Sequence, residues 1–123
     1  MAKSESQENY LETILLLSKV RPVVRSVDIS NELGYKKSSV SVAMKNLRMQ
    51  NYITISEDGF IYLTEEGRKV AEMIYDRHET LTSFLTKLGV PREIAEEDAC
   101  RVEHVISPET FSAIKQHLEN GLP

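Results

Sequence analysis

Cys100, Glu103 and His104 stand at i, i+3 and i+4 in the segment EDACRVEHVIS. On a helix that spacing lays a thiolate, a carboxylate and an imidazole along one face. Together these donors chelate a divalent transition metal. Glu96, Glu97 and Asp98 add negative charge just upstream. His78, and Asn9 with Glu12, offer further nitrogen and oxygen donors from two other segments. Each residue alone has an ordinary explanation. A lone cysteine is commonly a small core residue, and Glu-His pairs are common on surfaces. Three ligand types on one face turn the reading towards metal, although Cys-x-x-Glu-His is not a zinc-finger spacing. The alternative chemistry is a thiol nucleophile, Cys100 beside His104. It would also need an oxyanion hole and an orienting group, and nothing in the sequence indicates them. No enzyme activity is expected, and His117 reads as surface.

Helices must position these donors. Residues 5–20 carry apolar side chains at Tyr10, Leu11, Ile14, Leu15 and Leu17, a helical spacing with Ser4 or Ser6 as the cap. Arg21-Pro22 stops that helix. Thr64 caps a long helix that runs to about Leu88, with Glu65 and Glu66 in its first turn. Gly89-Val90-Pro91 breaks it, and residues 92–105 form the helix of the ligand cluster. Ser107-Pro108-Glu109 then starts a last helix, with Ser107 as N-cap and Pro108 at the first helical position.

A different pattern lies between the first helix and Thr64. SVDISNEL is a short helix with Ser26 as N-cap, Val27, Ile29 and Leu33 inward, and Gly34 as C-cap. KSSVSVAMKNLRMQN follows, with Val40, Met44 and Leu47 on one face. Two short helices around a glycine-containing turn read as helix-turn-helix. YITIS and FIYLT, separated by Glu57-Asp58-Gly59, form a hairpin directly afterwards. The pattern is therefore a winged helix-turn-helix. Its second helix would enter the major groove of double-stranded DNA. Lys36, Lys37, Ser38, Ser39 and Ser41 sit near its start, Lys45 and Arg48 further along, and Arg25 before the preceding helix. Val42 could at most touch a thymine methyl. As a lone run, the serines would be caps and the lysines a solvated face; the wing that follows favours DNA contact.

The bulk properties agree. The 123 residues suit a small domain with appended helices, and a unit of this size tends to cover its apolar surface with a partner subunit. The formal net charge is −4. Residues 19–55 nevertheless carry seven basic side chains against two acidic ones, and residues 64–123 seven against twelve. A basic half joined to an acidic half suits a DNA surface followed by a cation-binding or dimer module. No apolar run approaches the roughly 20 residues of a membrane span. The polar start and the single cysteine point to the cytoplasm.

The segment EDACRVEHVIS resembles the signature of the diphtheria-toxin-repressor family of iron- and manganese-dependent regulators. The similarity extends to SQENYLETILLL, the helix-turn-helix, LTEEGRKVA and DRHETLTSFL, and so covers essentially the whole chain. It resembles the shorter, two-domain form of the manganese transport regulators, without the SH3-like third domain of larger members. The resemblance implies a mainly α fold. A winged helix-turn-helix DNA-binding domain, residues 1–64, precedes an all-helical dimerisation and metal-binding domain, residues 65–123. It implies a homodimer that binds palindromic operators when loaded with Fe(II) or Mn(II), with zinc, cobalt or nickel substituting in vitro. The implied primary ligands are Asn9, Cys100, Glu103 and His104; His78 belongs to the second site, and Glu12 is a ligand in manganese-type members. Three positions depart from the pattern. Asn9 stands where iron-type members have Met and manganese-type members Asp. Thr82 stands where iron-type members have Glu, and Glu96 where they have His. A second site would be rebuilt from Glu12, His78 and Glu96 or Glu97. Thiolate softness at Cys100 leans towards Fe(II).

The expected function is a metal-dependent repressor controlling metal homeostasis. Metal bound between first-helix donors and the cluster near residue 100 would set the spacing of two recognition helices, whose half-sites lie about 34 Å apart. The alternative is a winged-helix regulator that senses a non-metal ligand or a partner protein.

Overall fold

The computed structural model describes residues 5–120. The elements in chain order are α1 (Glu5–Val20), α2 (Ser26–Leu33), α3 (Lys37–Met49), β1 (Ile53–Ile55), β2 (Ile61–Leu63), α4 (Glu65–Lys87), α5 (Arg92–Val102) and α6 (Pro108–Asn120). The mainly helical winged fold expected from the sequence is present. The chain divides into two compact units, Met1–Glu72 and Met73–Pro123, so α4 contributes to both.

In the first unit, α1 buries Tyr10, Leu11, Ile14, Leu15 and Leu17, the five positions its periodicity marks. Ile29 of α2 and Val40, Met44 and Leu47 of α3 join them, with Ile53 and Ile61 from the hairpin. Burying these side chains contributes about 1.5–3 kcal/mol each relative to exposure. Tyr10 meets Tyr35 edge-on, with ring centroids 5.9 Å apart. Burial, and then the charge of Tyr35, push the Tyr10 phenol above the ordinary tyrosine range.

Several local expectations are corrected. Ser26 is the first residue of α2, and Arg25 is its N-cap. The Arg25 amide donates to Asp28 Oδ2 at 2.9 Å, so the aspartate closes the helix start in place of the serine hydroxyl. Val27 is exposed on α2, where Ile29 and Ser30 are the buried pair. Ser6 lies inside α1, so it does not cap it, and Ser4 lies outside the described residues. Gly34 does close α2, at φ 70, with its amide donating to the Ser30 carbonyl at 2.9 Å.

The wing is a two-stranded antiparallel sheet pairing Ile53 with Leu63 and Ile55 with Ile61. Its turn closes through the Gly59 amide to the Ser56 carbonyl at 2.9 Å. Thr64 then caps α4: the Gly67 amide donates to Thr64 Oγ1 at 3.1 Å, and the Thr64 amide donates to the Tyr52 carbonyl at 3.0 Å. Gly67 has to be glycine here, because a Cβ would collide with the Tyr52 carbonyl oxygen.

Among the described residues of the second unit, Ile74, Leu81, Ala95 and Ala99 are the buried apolar ones, and α6 buries none fully. The helix of the ligand cluster is shorter than the expected 92–105. It ends at Val102, Glu103 is its C-cap, and residues 103–105 form a turn. The Val105 and Ile106 amides both close on the Val102 carbonyl at 3.0 Å within that turn. Ser107 caps α6 as expected, with the Thr110 amide donating to Ser107 Oγ at 3.1 Å.

Candidate metal centre and nucleic-acid interface

The donor cluster straddles the end of α5: Cys100 is on the helix, Glu103 is its C-cap with helical backbone angles, and His104 is in the turn that follows. Cys100 stays on the helix and is exposed. Glu103 is fully buried at the helix end, and the His104 side chain behind it is 1% exposed. The three residues therefore differ in exposure, with the thiol outward and the carboxylate and imidazole inward.

The second unit brings a different trio together. His78 of α4 donates from Nδ1 to Glu103 Oε2 at 2.9 Å. A carboxylate only accepts, so the imidazole is the donor in this bond and carries a proton on Nδ1. His104 Nε2 lies 3.4 Å from Glu103 Oε1, which is buried and has no hydrogen-bond partner among the described residues. A buried carboxylate oxygen left in that state is costly unless a cation or donor meets it. The donor set, one hard oxygen ligand flanked by two imidazoles, suits Mn(II), Fe(II) or Zn(II). Among the described residues, no three His, Cys, Asp or Glu side chains already stand in a metal-holding geometry.

The remaining candidates sit elsewhere. Glu96 is exposed and accepts from Arg92 Nε at 2.9 Å, and Glu97 pairs with Arg101 at 3.7 Å, both along α5 itself. Thr82, at the position that departs from the iron-type pattern, is buried with its hydroxyl unpartnered among the described residues. In the first unit, Asn9 and Glu12 are half-buried on α1. Sequence reasoning missed Arg77. Its Nη1 donates to the Glu103 carbonyl at 3.2 Å and the Ile106 carbonyl at 3.0 Å. A basic residue next to His78 was the only signal available.

The winged unit presents a coherent polar face. Burying Val40, Met44 and Leu47 turns the other side of α3 outward. Lys36, Lys37, Ser38, Ser39, Ser41, Lys45 and Arg48 are all exposed, and Val42 is 61% exposed among them. The N-cap of α3 is Lys36, with no side-chain cap, and no acidic residue occupies the first turn. Lysines at the positive end of a helix are locally unfavourable, and that arrangement leaves the end amides and charges for an anion such as phosphate. Asn46, one turn beyond Val42, is exposed too and was not foreseen. Arg25 is exposed, and its guanidinium lies 5.0 Å from the centre of the Phe60 ring, which sets it against the wing.

Residues 3–59 match the N-terminal DNA binding domain of the iron dependent repressors, and residues 64–121 match their metal binding and dimerisation domain. The chain belongs to the iron-dependent repressor family. An uncharacterized HTH-type transcriptional regulator of Methanocaldococcus jannaschii is 35% identical over 119 residues, covering 94% of each chain. The transcriptional regulator MntR of Escherichia coli O6:H1 is 34% identical over 113 residues, 92% of this chain and 73% of its own. IdeR from T. acidophilum superposes with a TM-score of 0.81 at 26% identity, covering 97% of this chain and 55% of that one. A manganese-dependent transcriptional repressor solved with manganese has a TM-score of 0.85 at 24% identity, over 94% of this chain and 53% of that one, and so shares the fold. The chain spans about half the length of these two solved structures. Iron-dependent repressors are regulators and not enzymes, so the nucleophile reading of Cys100 falls away. The match to a metal-binding domain likewise favours metal over a non-metal ligand.

Proposed function

We propose that this chain is a metal-dependent transcriptional repressor. Loaded with Fe(II) or Mn(II), it binds a palindromic operator as a homodimer in the cytoplasm and controls metal homeostasis. The observation that carries the reading is the fully buried Glu103 carboxylate, held between His78 and His104 with one oxygen unpartnered among the described residues. Glu103, His78 and His104 would hold the metal, with Cys100 as the soft donor and Glu96 as a nearby charge. Asn9 and Glu12 join the set on the strength of the family resemblance. A bound divalent cation supplies positive charge that the buried carboxylate otherwise lacks. His78 orients the carboxylate through its Nδ1 contact and would be one of the residues holding the cation. Protons compete with metal for the imidazoles and the thiolate, so affinity falls in acid.

On the DNA side, Lys36, Lys37 and the α3 amides would take phosphate, and Ser38, Ser39, Ser41 and Val42 would approach base edges. Lys45, Arg48 and Arg25 would grip the backbone. Dimerisation is supported by the thin core of the second unit and by its exposed apolar side chains, Leu88, Ile94, Val102 and Val105, the last 76% exposed.

The test is operator binding titrated anaerobically with Fe(II), Mn(II), Zn(II) and Co(II), against a chelator control. Cys100→Ala and His104→Ala should abolish the metal response and leave a folded dimer. Full metal response in both variants would refute the ligand assignment, and chelator-insensitive binding would refute metal dependence.

A further inference from the structure

The α5–α6 turn carries Glu103 and His104, so whatever fixes the turn fixes the two donors. The Glu103 amide closes on the Ala99 carbonyl at 2.9 Å, so the backbone amides of the turn point back towards α5. The Val105 and Ile106 amides share the single carbonyl of Val102, and a helix end leaves its last carbonyls without amide partners. Arg77 supplies donors to two carbonyls here, that of the α5 C-cap and that of the residue that follows the turn. Both bonds come from Nη1, to the carbonyls of Glu103 and Ile106, at 3.2 and 3.0 Å. Each guanidinium Nη carries two hydrogens in a fixed plane, so one nitrogen spans both carbonyls.

The guanidinium is in turn held from α6. Its carbon lies 5.5 Å from the centre of the Phe111 ring, and Lys115 Nζ lies 5.7 Å from the same ring. Lys115 donates to Asp76 Oδ2 at 2.8 Å. Three consecutive residues of α4 thus divide the work: Asp76 holds α6, Arg77 holds the backbone of the turn, and His78 holds the Glu103 carboxylate. Arg77 Nε is buried without a partner among the described residues, so the side chain accepts an unsatisfied donor to keep this pose. A fixed positive charge beside a cation site repels the cation. Its benefit to such a site must therefore come through geometry.

We propose that Arg77 is a positioning residue of the metal centre: its forked bond to the Glu103 and Ile106 carbonyls presets the turn that presents Glu103 and His104. The proposal rests on the metal-dependent reading above. Partners of this kind typically change metal affinity 10–100-fold when removed.

The experiment uses the full chain with Arg77→Gln and Arg77→Lys, with amide hydrogen exchange on metal-free protein and Mn(II) titration in competition with a chromophoric chelator. Arg77→Gln loses the fork and the charge, and should bind Mn(II) at least 10-fold more weakly. Arg77→Lys keeps the charge but not the planar fork, and should also bind more weakly than wild type. In both, the Val105 and Ile106 amides should exchange faster while the Leu15 amide of α1 is unchanged. Wild-type affinity in Arg77→Gln, full recovery in Arg77→Lys, or unchanged exchange at the turn would overturn the proposal. Equal acceleration at Leu15 and the turn would assign Arg77 to general stability and overturn it too. If wild-type protein binds neither Mn(II) nor Fe(II), the functional reading itself fails and takes this proposal with it. Loss confined to the variants' comparison leaves that reading standing.

Discussion

His78 Nδ1 lies 2.9 Å from Glu103 Oε2, a bond that joins the middle of α4 to the turn after α5. It makes a buried carboxylate tolerable in the metal-free protein. His78→Ala removes that partner, and an unsatisfied buried group costs about 1–3 kcal/mol. The variant should melt earlier than wild type without metal, and Mn(II) should no longer raise its melting temperature as it raises that of wild type. A variant with the wild-type melting point and the wild-type metal shift would remove His78 from the centre.

Cys100 is exposed in this structure, and as a ligand it would be covered by metal. Thiol alkylation should be rapid in the metal-free protein and markedly slowed by saturating Fe(II) or Mn(II) under anaerobic conditions. Equal alkylation rates with and without metal would leave Glu103 and the histidines to bind without the thiolate.

The polar face of α3 makes a prediction about salt. Lys37→Ala should weaken binding to operator and non-operator DNA alike, and reduce the slope of log K against log salt by about 1. Val42→Ala should leave that slope unchanged, since the side chain carries no charge. Fluorescence anisotropy at several salt concentrations measures both, and an unaltered slope in Lys37→Ala would take Lys37 off the phosphate backbone.

Gly67 packs against the Tyr52 carbonyl at the start of α4, and a Cβ there would collide with it. That carbonyl also accepts the Thr64 amide, so displacing it disturbs the cap and the base of the wing together. Gly67→Ala should destabilise the protein by about 1–3 kcal/mol, the range for forced overpacking. Urea unfolding reads this directly, and a change under 0.5 kcal/mol, an ordinary surface effect by size, would show the contact to be relaxed.

Tyr10 gives a pH dependence with a definite sign. Its folded phenol is raised, first by burial and then by Tyr35. The unfolded chain ionises first, so the stability contribution is present below about pH 10 and is lost as pH rises through the raised folded value. Tyr10→Phe should flatten the alkaline loss of stability. Identical alkaline melting curves for variant and wild type would show that another group governs it.

The amino-acid sequence by itself determined the winged fold to a large extent. Apolar spacing marked the buried faces of α1 and α3, Asp58-Gly59 marked the hairpin turn, and Thr64 and Ser107 marked helix starts. These are local signals, because periodicity and capping act within a few residues. The cap of α2 was misread because Asp28 reaches back to the Arg25 amide and displaces the more usual serine. The donor types were legible too, but their arrangement was not. Spacing alone put Cys100, Glu103 and His104 on one helix, whereas α5 ends at Val102, with Glu103 as its C-cap and His104 in the turn. Only tertiary packing then decided that Glu103 turns inward to His78, which is 25 residues away in sequence, and that Arg77 holds the turn from α4. Sequence periodicity carries no information about which distant helix meets a turn, whereas burial of a charged carboxylate forces it to find a partner there.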